Sequence, residues 1–154
     1  MTTFIGDYSC KVDAKGRIIL PMAFKKQMPS DAEDRFVVRK GIFGKCLVLY
    51  SMEEWNKEIE KIRGRLNPYN KEHDEFMRIF FKGTAELELD SSNRLLVPKR
   101  MLELAGIEKD VVLLGKDRWI EIWAEEVYAQ IEMPSDQFSN LAEKLLGDPT
   151  KDQV

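Results

Sequence analysis

Short runs in which hydrophobic and polar residues alternate occur in the first half of the chain and return in the second. Two of these runs place apolar side chains at every second position: Tyr8, Cys10 and Val12, and Ala85, Leu87 and Leu89. Such a period of two is typical of a β-strand with one buried face. Further strand-like runs cover residues 36–39, 46–50, 111–114 and 119–123. The pattern predicts a protein that is mainly β-sheet.

Helical patterns flank these strands. Ser51 and Glu54 have the spacing of a capping box, which predicts that a helix begins there. Its apolar residues recur at helical spacing: Trp55, Ile59, Ile62 and Leu66. We also expect helices over residues 71–81 and 135–146 and short helices near residues 22–28 and 98–105. The short helices follow Pro21 and Pro98, and Gly106 is suited to end the second of them.

The chain contains an internal repeat. A shift of 77 residues aligns residues 4–24 with residues 81–101. Only a few positions are identical, but they are those where backbone geometry is most demanding: Phe4/Phe81, Gly6/Gly83, Asp13/Asp90, Arg17/Arg94 and Pro21/Pro98. The repeat predicts two copies of one structural unit.

Each copy has a turn of defined chemistry. We expect Asp13 to open a type I turn by accepting hydrogen bonds from the backbone ahead, and Gly16 to take the left-handed position. Arg17 then opens the next strand, close enough to pair with Asp13. Asparagine tolerates the left-handed position best among the other residues. The second copy has the same order of residue types, with asparagine for glycine: Asp90, Asn93 and Arg94.

These motifs resemble those of the MraZ family, bacterial transcriptional regulators with two AbrB-like (SpoVT-AbrB) repeats. The resemblance rests on Phe4-x-Gly6, on Asp13-Ala-Lys-Gly-Arg17 followed by Ile-Ile-Leu-Pro21, and on Asp90-x-x-x-Arg94. It implies a mainly β fold with flanking helices: a duplicated AbrB-like, swapped-hairpin split β-barrel formed by two pseudo-symmetric halves of one chain. It also implies ring-like homo-oligomers that bind repeated promoter boxes on double-stranded DNA. Their target would be the cell-division and cell-wall gene cluster that includes the protein's own gene, usually with repression.

The predicted domain organisation follows the repeat. We expect a first SpoVT-AbrB-like repeat over residues 4–55 and a second over residues 81–128. Connecting helices occupy residues 56–80, and a C-terminal helical segment covers residues 129–147. Residues 148–154 are expected to form a flexible tail.

Charge changes this picture, because it is uneven along the chain. The 154 residues carry a net charge of −3, but residues 1–70 carry +4 and residues 71–154 carry −7. Such an asymmetry is typical of a protein with one end that meets a polyanion, but an ordinary mixed, solvated surface explains it as well. No apolar run approaches the roughly 20 residues of a membrane-spanning helix, and no signal peptide is recognisable. We expect a cytoplasmic, nucleoid-associated protein without a membrane partner.

The basic residues cluster around the first turn. Residues 11–26 carry +4, whereas the matching segment, residues 88–103, is neutral. Arginine suits guanine recognition and lysine suits phosphate. We therefore expect the first repeat to face DNA and the second mainly to complete the barrel and subunit contacts. The expected DNA-binding residues, with Arg94 as the weakest candidate, are Lys11, Lys15, Arg17, Lys25, Lys26 and Arg94.

The residue types in the sequence give little support for catalysis or metal binding. His73, Cys10 and Cys46 cannot supply the usual closed zinc site, and no phosphate-binding loop is present. We expect no enzyme activity, cofactor, metal or small-molecule substrate. The acidic pairs at helix starts, Glu53-Glu54 and Glu125-Glu126, are interpreted as solvated caps. Trp119, Trp123 and Tyr128 are interpreted as core or subunit-interface residues.

Two other functions stay open: an oligomeric interaction scaffold without DNA binding, and an AbrB-type antitoxin-like regulator.

Overall fold

The computed structural model describes residues 2–147, so the expected flexible tail, residues 148–154, lies outside the described residues. This described part contains eight strands: β1 (Phe4–Lys11), β2 (Arg17–Ile19), β3 (Arg35–Lys40), β4 (Leu47–Ser51), β5 (Ala85–Glu88), β6 (Arg94–Leu96), β7 (Asp110–Asp117) and β8 (Trp119–Ala124). Between residues 2 and 147, six helices flank them: α1 (Met22–Gln27), α2 (Met52–Arg65), α3 (Lys71–Phe81), α4 (Lys99–Leu104), α5 (Glu125–Ala129) and α6 (Ser135–Leu146). The predicted mainly β fold with flanking helices is confirmed.

The predicted strands and helices occur close to their expected bounds. Along β1, buried or half-buried residues alternate with exposed ones, as the period of two predicted. Pro21 and Pro98 stand one residue before α1 and α4, at the N-cap positions. Gly106 ends α4 with a φ of 67°. Local sequence signals therefore locate the elements well.

Strands from both halves of the chain are interleaved. The main sheet has six strands in the order β1-β7-β8-β4-β3-β5, and β2 pairs with β6 in a separate two-stranded sheet. Each early strand of one half thus pairs with a strand of the other half: β1 with β7, β5 with β3, and β2 with β6. All these pairs are antiparallel. Neither half completes its own sheet.

Across the first turn, β1 and β2 do not pair with each other. The chain leaves the main sheet at Val12, whose N–H donates to the Lys109 carbonyl, and after the turn β2 joins β6. Within residues 2–147 the ladder of hydrogen bonds does not close, since β1 and β5 are the two free ends of the six-stranded sheet. The expected swapped-hairpin barrel is therefore not confirmed by strand pairing.

The main core lies between the two sheets and the short helices. Phe24 of α1 is fully buried, and its ring meets the rings of Phe4 and Tyr8 edge to face, with centroids 5.7 and 5.1 Å apart. A smaller cluster on another side of the sheet contains Trp123 and Cys46. Burial there raises the pKa of the Cys46 thiol to about 12. Trp123 is therefore a core residue, in agreement with its interpretation from the sequence, and Cys46 belongs to the same buried cluster.

One acidic residue at the start of α2 departs from the sequence interpretation. Ser51 caps the helix by accepting the N–H of Glu54, but the Glu54 side chain is only 1% exposed. Its carboxylate pairs with Arg118 Nε at 2.9 Å and with Lys57 Nζ at 3.3 Å. The interpretation of Glu54 as a solvated cap is wrong. The ion pair with Arg118, 64 residues away in sequence, compensates the cost of burying the Glu54 carboxylate. Glu53 is exposed, as expected.

Within the part of the chain that the structure describes, no helix combines the length and apolar character needed to cross a bilayer.

Candidate nucleic-acid interface

The first turn is built by the carboxylate of Asp13. Its Oδ1 accepts the N–H groups of Lys15 at 2.9 Å and Arg17 at 2.8 Å, and the Gly16 N–H donates to the Asp13 carbonyl at 3.0 Å. Gly16 has a φ of 90°, a conformation that glycine adopts without a steric penalty. The predicted turn is confirmed in both its opening residue and its left-handed position.

The second turn repeats this geometry. Asp90 Oδ1 accepts the N–H groups of Ser92 and Arg94, both at 2.9 Å. Asn93 takes the left-handed position with a φ of 58°. The substitution of asparagine for glycine therefore leaves the turn intact, and the two turns present their arginines in the same way.

Each arginine is held by the aspartate of its own turn. Arg17 Nε lies 2.6 Å from Asp13 Oδ2, and Arg94 Nε lies 2.9 Å from Asp90 Oδ2. Both contacts use Nε, so the two Nη atoms of each guanidinium remain for an outside acceptor. The planar fork of arginine recognises two acceptors at once. The aspartate thus orients the guanidinium and leaves its two Nη atoms available to an outside acceptor.

Both aspartates are stabilised in their charged form. The backbone N–H of Arg17 is the main cause that lowers the pKa of Asp13, and the N–H of Arg94 does the same for Asp90. Hydrogen bonds to a carboxylate favour its ionised state. Each guanidinium is therefore held next to a negative charge at neutral pH.

The ribbon formed by β2 and β6 brings the two arginines to one face. Arg17 lies opposite Leu96, and Arg94 lies opposite Ile19. The central pair of the ribbon, Ile18 and Leu95, is buried. Since successive side chains of a strand point to opposite faces, Arg17 and Arg94 both point outward, and such diagonal neighbours lie about 7–8 Å apart.

The lysines expected near this ribbon have different surroundings. Lys11, Lys15 and Lys26 are exposed. Lys25 is half-buried, and its Nζ lies 3.0 Å from Asp34 Oδ1. Part of the positive charge counted over residues 11–26 is therefore compensated within the chain at Lys25.

That the two turns belong to one surface was not predicted from the sequence. The second repeat was expected mainly to complete the barrel and subunit contacts, with Arg94 as the weakest DNA-binding candidate, whereas the strand register places Arg94 beside Arg17. Lys99 was also overlooked: it lies two residues beyond Val97, whose N–H donates to the Gly16 carbonyl at 3.0 Å. The equal spacing of the motifs in the two copies is the one sequence signal of this arrangement.

The other residues considered for chemistry lie apart from this ribbon. His73 Nδ1 accepts the N–H of Asn67 at 2.9 Å, so this side chain supports the connection between α2 and α3. Among residues 2–147 no three His, Cys, Asp or Glu side chains come together as ligands for a metal ion.

Comparison with known proteins places the chain in a family. A family model described as "MraZ protein, putative antitoxin-like" matches residues 3–78 and 80–148, nearly the whole chain in two segments. The chain belongs to the MraZ family. This confirms the resemblance seen in the turn motifs.

Several MraZ proteins are similar over their full length. A protein of Christiangramia forsetii is 43% identical over 155 residues, covering 100% of this chain and 99% of the relative. A protein of Cytophaga hutchinsonii is 42% identical, covering 98% and 99%. A protein of Bacteroides fragilis is 39% identical, covering 95% and 92%. All three carry the name Transcriptional regulator MraZ, and membership of the MraZ family supports a role in the regulation of transcription.

Proposed function

We propose that this protein binds double-stranded DNA sequence-specifically and regulates transcription of the cell-division and cell-wall gene cluster that includes its own gene. One observation carries the proposal: two aspartate-oriented arginines, Arg17 and Arg94, share the outward face of the β2–β6 ribbon. Family membership and the MraZ resemblance support the choice of target.

The ribbon has the chemistry that major-groove recognition needs. A two-stranded β-ribbon fits the major groove, which is about 12 Å wide. In this proposal the Nη atoms of Arg17 and Arg94 contact base edges, principally O6 and N7 of guanine. Lys11, Lys15 and Lys26 contact phosphates, and Lys25 contributes less because it already pairs with Asp34.

The negative net charge of a single subunit favours DNA binding by an oligomer. A chain with a net charge of −3 offers few attractive contacts to DNA on its own. A ring-like homo-oligomer that displays several ribbons gains affinity by effective concentration when the promoter boxes match the subunit spacing. Occupancy of such boxes would block transcription, so we propose repression.

The architecture and location belong to the same proposal. We propose that the repeats over residues 4–55 and 81–128 together form a swapped-hairpin split barrel, with the connecting helices and the C-terminal segment outside it. The pairing of each early strand with the other half supports this. We further propose a cytoplasmic, nucleoid-associated protein without catalytic activity, cofactor or small-molecule substrate.

A gel-shift experiment with the upstream region of the protein's own gene tests this function. Arg17→Ala and Arg94→Ala should each lower the affinity about tenfold or more, because a bidentate arginine contact is worth about 1–3 kcal/mol. Arg63→Ala is the matched control, since Arg63 is an exposed arginine on α2. Circular dichroism and the oligomer mass should be unchanged. Wild-type affinity in both ribbon variants would contradict the proposal.

The scaffold alternative retains one specific observation in its favour. Ile19, Leu96 and Met22 are exposed around the arginines, and an apolar ribbon face suits a protein contact. In that case the Asp–Arg pairs lock the turns and contact no base. The two functions separate in the same gel shift, because a scaffold forms no sequence-specific complex with the promoter.

A further inference from the structure

Within residues 2–147, one groove is lined by positively charged side chains and by no acidic one. It lies between the β3–β4 loop, α3 and α4, and its volume is about 980 Å³. We call it the cationic groove. Five positively charged residues line it: Arg39, Lys40, Lys45, Lys82 and Arg100.

The same groove exposes large apolar side chains. Phe43 at the tip of the β3–β4 loop is fully exposed, and Ile79 of α3 is 70% exposed. Phe76 and Leu104 add further open apolar surface. Clustered exposed apolar residues with a polar rim mark a surface that another molecule covers. The groove therefore suits an occupant that is both apolar and acidic.

Arg39 gives independent evidence for such an occupant. Its side chain is only 6% exposed, its Cζ lies 3.9 Å from the centre of the Phe80 ring, and its Nε has no hydrogen-bond partner in the described part of the chain. No carboxylate of residues 2–147 lies within ion-pair distance of it. Its polar partner within these residues is the Tyr50 hydroxyl, which is uncharged. Buried charges in proteins are normally paired with an opposite charge, so a carboxylate from outside the chain fits this position.

The C-terminal arm, residues 129–147, has the complementary character. Along α6 every residue except Ala142 is exposed, and the apolar side chains form one stripe at helical spacing: Phe138, Leu141, Ala142 and Leu145. The arm carries three acidic residues, Glu132, Asp136 and Glu143, against one basic residue, Lys144. Within residues 2–147, α6 is therefore an acidic amphipathic helix whose apolar stripe is largely exposed.

We propose that α6 of one copy of this protein docks in the cationic groove of a second copy. The two surfaces differ, so the contact is head to tail. An open chain of subunits then has a free groove at one end and a free arm at the other, and it ends when these two bind each other and close a ring. The apolar stripe covers the open side chains of α3 and the loop, while the rim lysines face the carboxylates of the arm. This inference rests on the proposed function only for its assumption of an oligomer.

A second copy fits this groove better than nucleic acid does. A phosphate backbone would satisfy the lysines but would leave Phe43 and Ile79 in water. An amphipathic helix in a groove covers both kinds of surface at once. The twelve residues of α6 form a rod about 18 Å long, and its stripe covers two turns of it.

Mixing of complementary variants tests the contact in the full-length chain. The arm variant carries Phe138→Asp and Leu145→Asp, and the groove variant carries Lys82→Glu and Arg100→Glu; all four positions are exposed. By light scattering after size exclusion, each variant alone should fall to the monomer mass of 17.9 kDa. The arm variant keeps a groove and the groove variant keeps an arm, so an equimolar mixture should form a dimer of twice that mass and stop there.

Tyr69→Asp and Lys61→Glu serve as controls, since both residues are exposed and lie outside the arm and the groove. Both controls should assemble like the wild type. A monomeric wild type, wild-type assembly of either test variant, or a mixture that stays monomeric would overturn the docking. Loss of promoter binding by groove variants that still assemble would assign the groove to DNA instead. If the docking fails, the gel shift with Arg17→Ala still tests DNA binding. An Arg17→Ala variant that loses promoter binding but keeps the wild-type oligomer mass would show that DNA binding can fail while the docking stays intact.

Discussion

The backbone N–H of Val97 donates to the carbonyl oxygen of Gly16 over 3.0 Å. The equivalent bond in the other half joins Leu20 N–H to Asn93 O over 2.8 Å. Each turn of the candidate interface is therefore fastened to the strand end of the opposite half. As a result, the distance between Arg17 and Arg94 depends on the pairing of the two halves, and neither half alone presents the complete ribbon.

The left-handed positions of the two turns should respond differently to substitution. Gly16→Ala should lower the free energy of unfolding by about 1–2 kcal/mol, because a φ of 90° is strained for alanine and the new Cβ would lie 3.1 Å from Val97 O. Asn93→Gly should be neutral within about 0.5 kcal/mol, since glycine adopts this φ freely. Urea unfolding followed by circular dichroism measures both. Equal losses in the two variants would contradict this account of the turns.

Stability should depend on acid pH through the turn aspartates. The folded-state pKa of Asp13 and Asp90 lies below the ordinary value of 3.8, so their contribution is fully present above pH 3.8 and is lost as the pH falls through the lower, folded-state pKa. In the double variant Asp13→Asn, Asp90→Asn, the free energy of unfolding should change less between about pH 5 and pH 2.5 than in the wild type.

Asp31→Asn provides the control for this pH series, because Asp31 is exposed and makes no ion pair within residues 2–147. It should follow the wild-type pH profile. An unchanged profile in the double variant would show that other carboxylates dominate acid unfolding.

The salt dependence of promoter binding should distinguish the lysines. Log affinity falls as log salt concentration rises. When a substitution removes one phosphate contact, the steepness of this fall should decrease by about one for each subunit that binds the DNA. Lys15→Ala and Lys26→Ala should show this effect. Lys25→Ala should show less, because its Nζ already pairs with Asp34. Fluorescence anisotropy with a promoter duplex at several salt concentrations measures the slopes, and an equal effect of all three lysines would refute the ranking.

The Glu54–Arg118 pair should contribute to stability more than the surface ion pairs do. Arg118→Ala leaves the buried Glu54 carboxylate with Lys57 alone, and we expect a loss of about 2 kcal/mol, between the values for exposed and buried pairs. Arg63→Ala, which breaks an exposed pair with Glu60, should cost less than about 0.5 kcal/mol. Urea unfolding at one fixed protein concentration compares them, and a cost for Arg118→Ala as small as that for Arg63→Ala would count against a structural role of this pair.

Much of the local structure was predictable because it depends on residues close together in sequence. The Asp13 and Asp90 turns, the left-handed Asn93, the helix that begins after Ser51 and the bounds of α6 all rest on contacts within a few residues. The burial of Glu54 was not predictable, because it depends on Arg118. The open groove around Arg39 likewise joins α3, α4 and the β3–β4 loop, which only the folded chain brings together.

By itself, the sequence determined the repeat, the chemistry of each turn and the family, since local backbone preferences and motif spacing are properties of short segments. The tertiary structure alone decided that β2 pairs with β6 and that Arg17 and Arg94 therefore share one face. Strand partners distant in sequence are selected by the burial of whole faces and by competition among all strands. A period of two shows which side of a strand is buried, but it does not show which strand lies beside it.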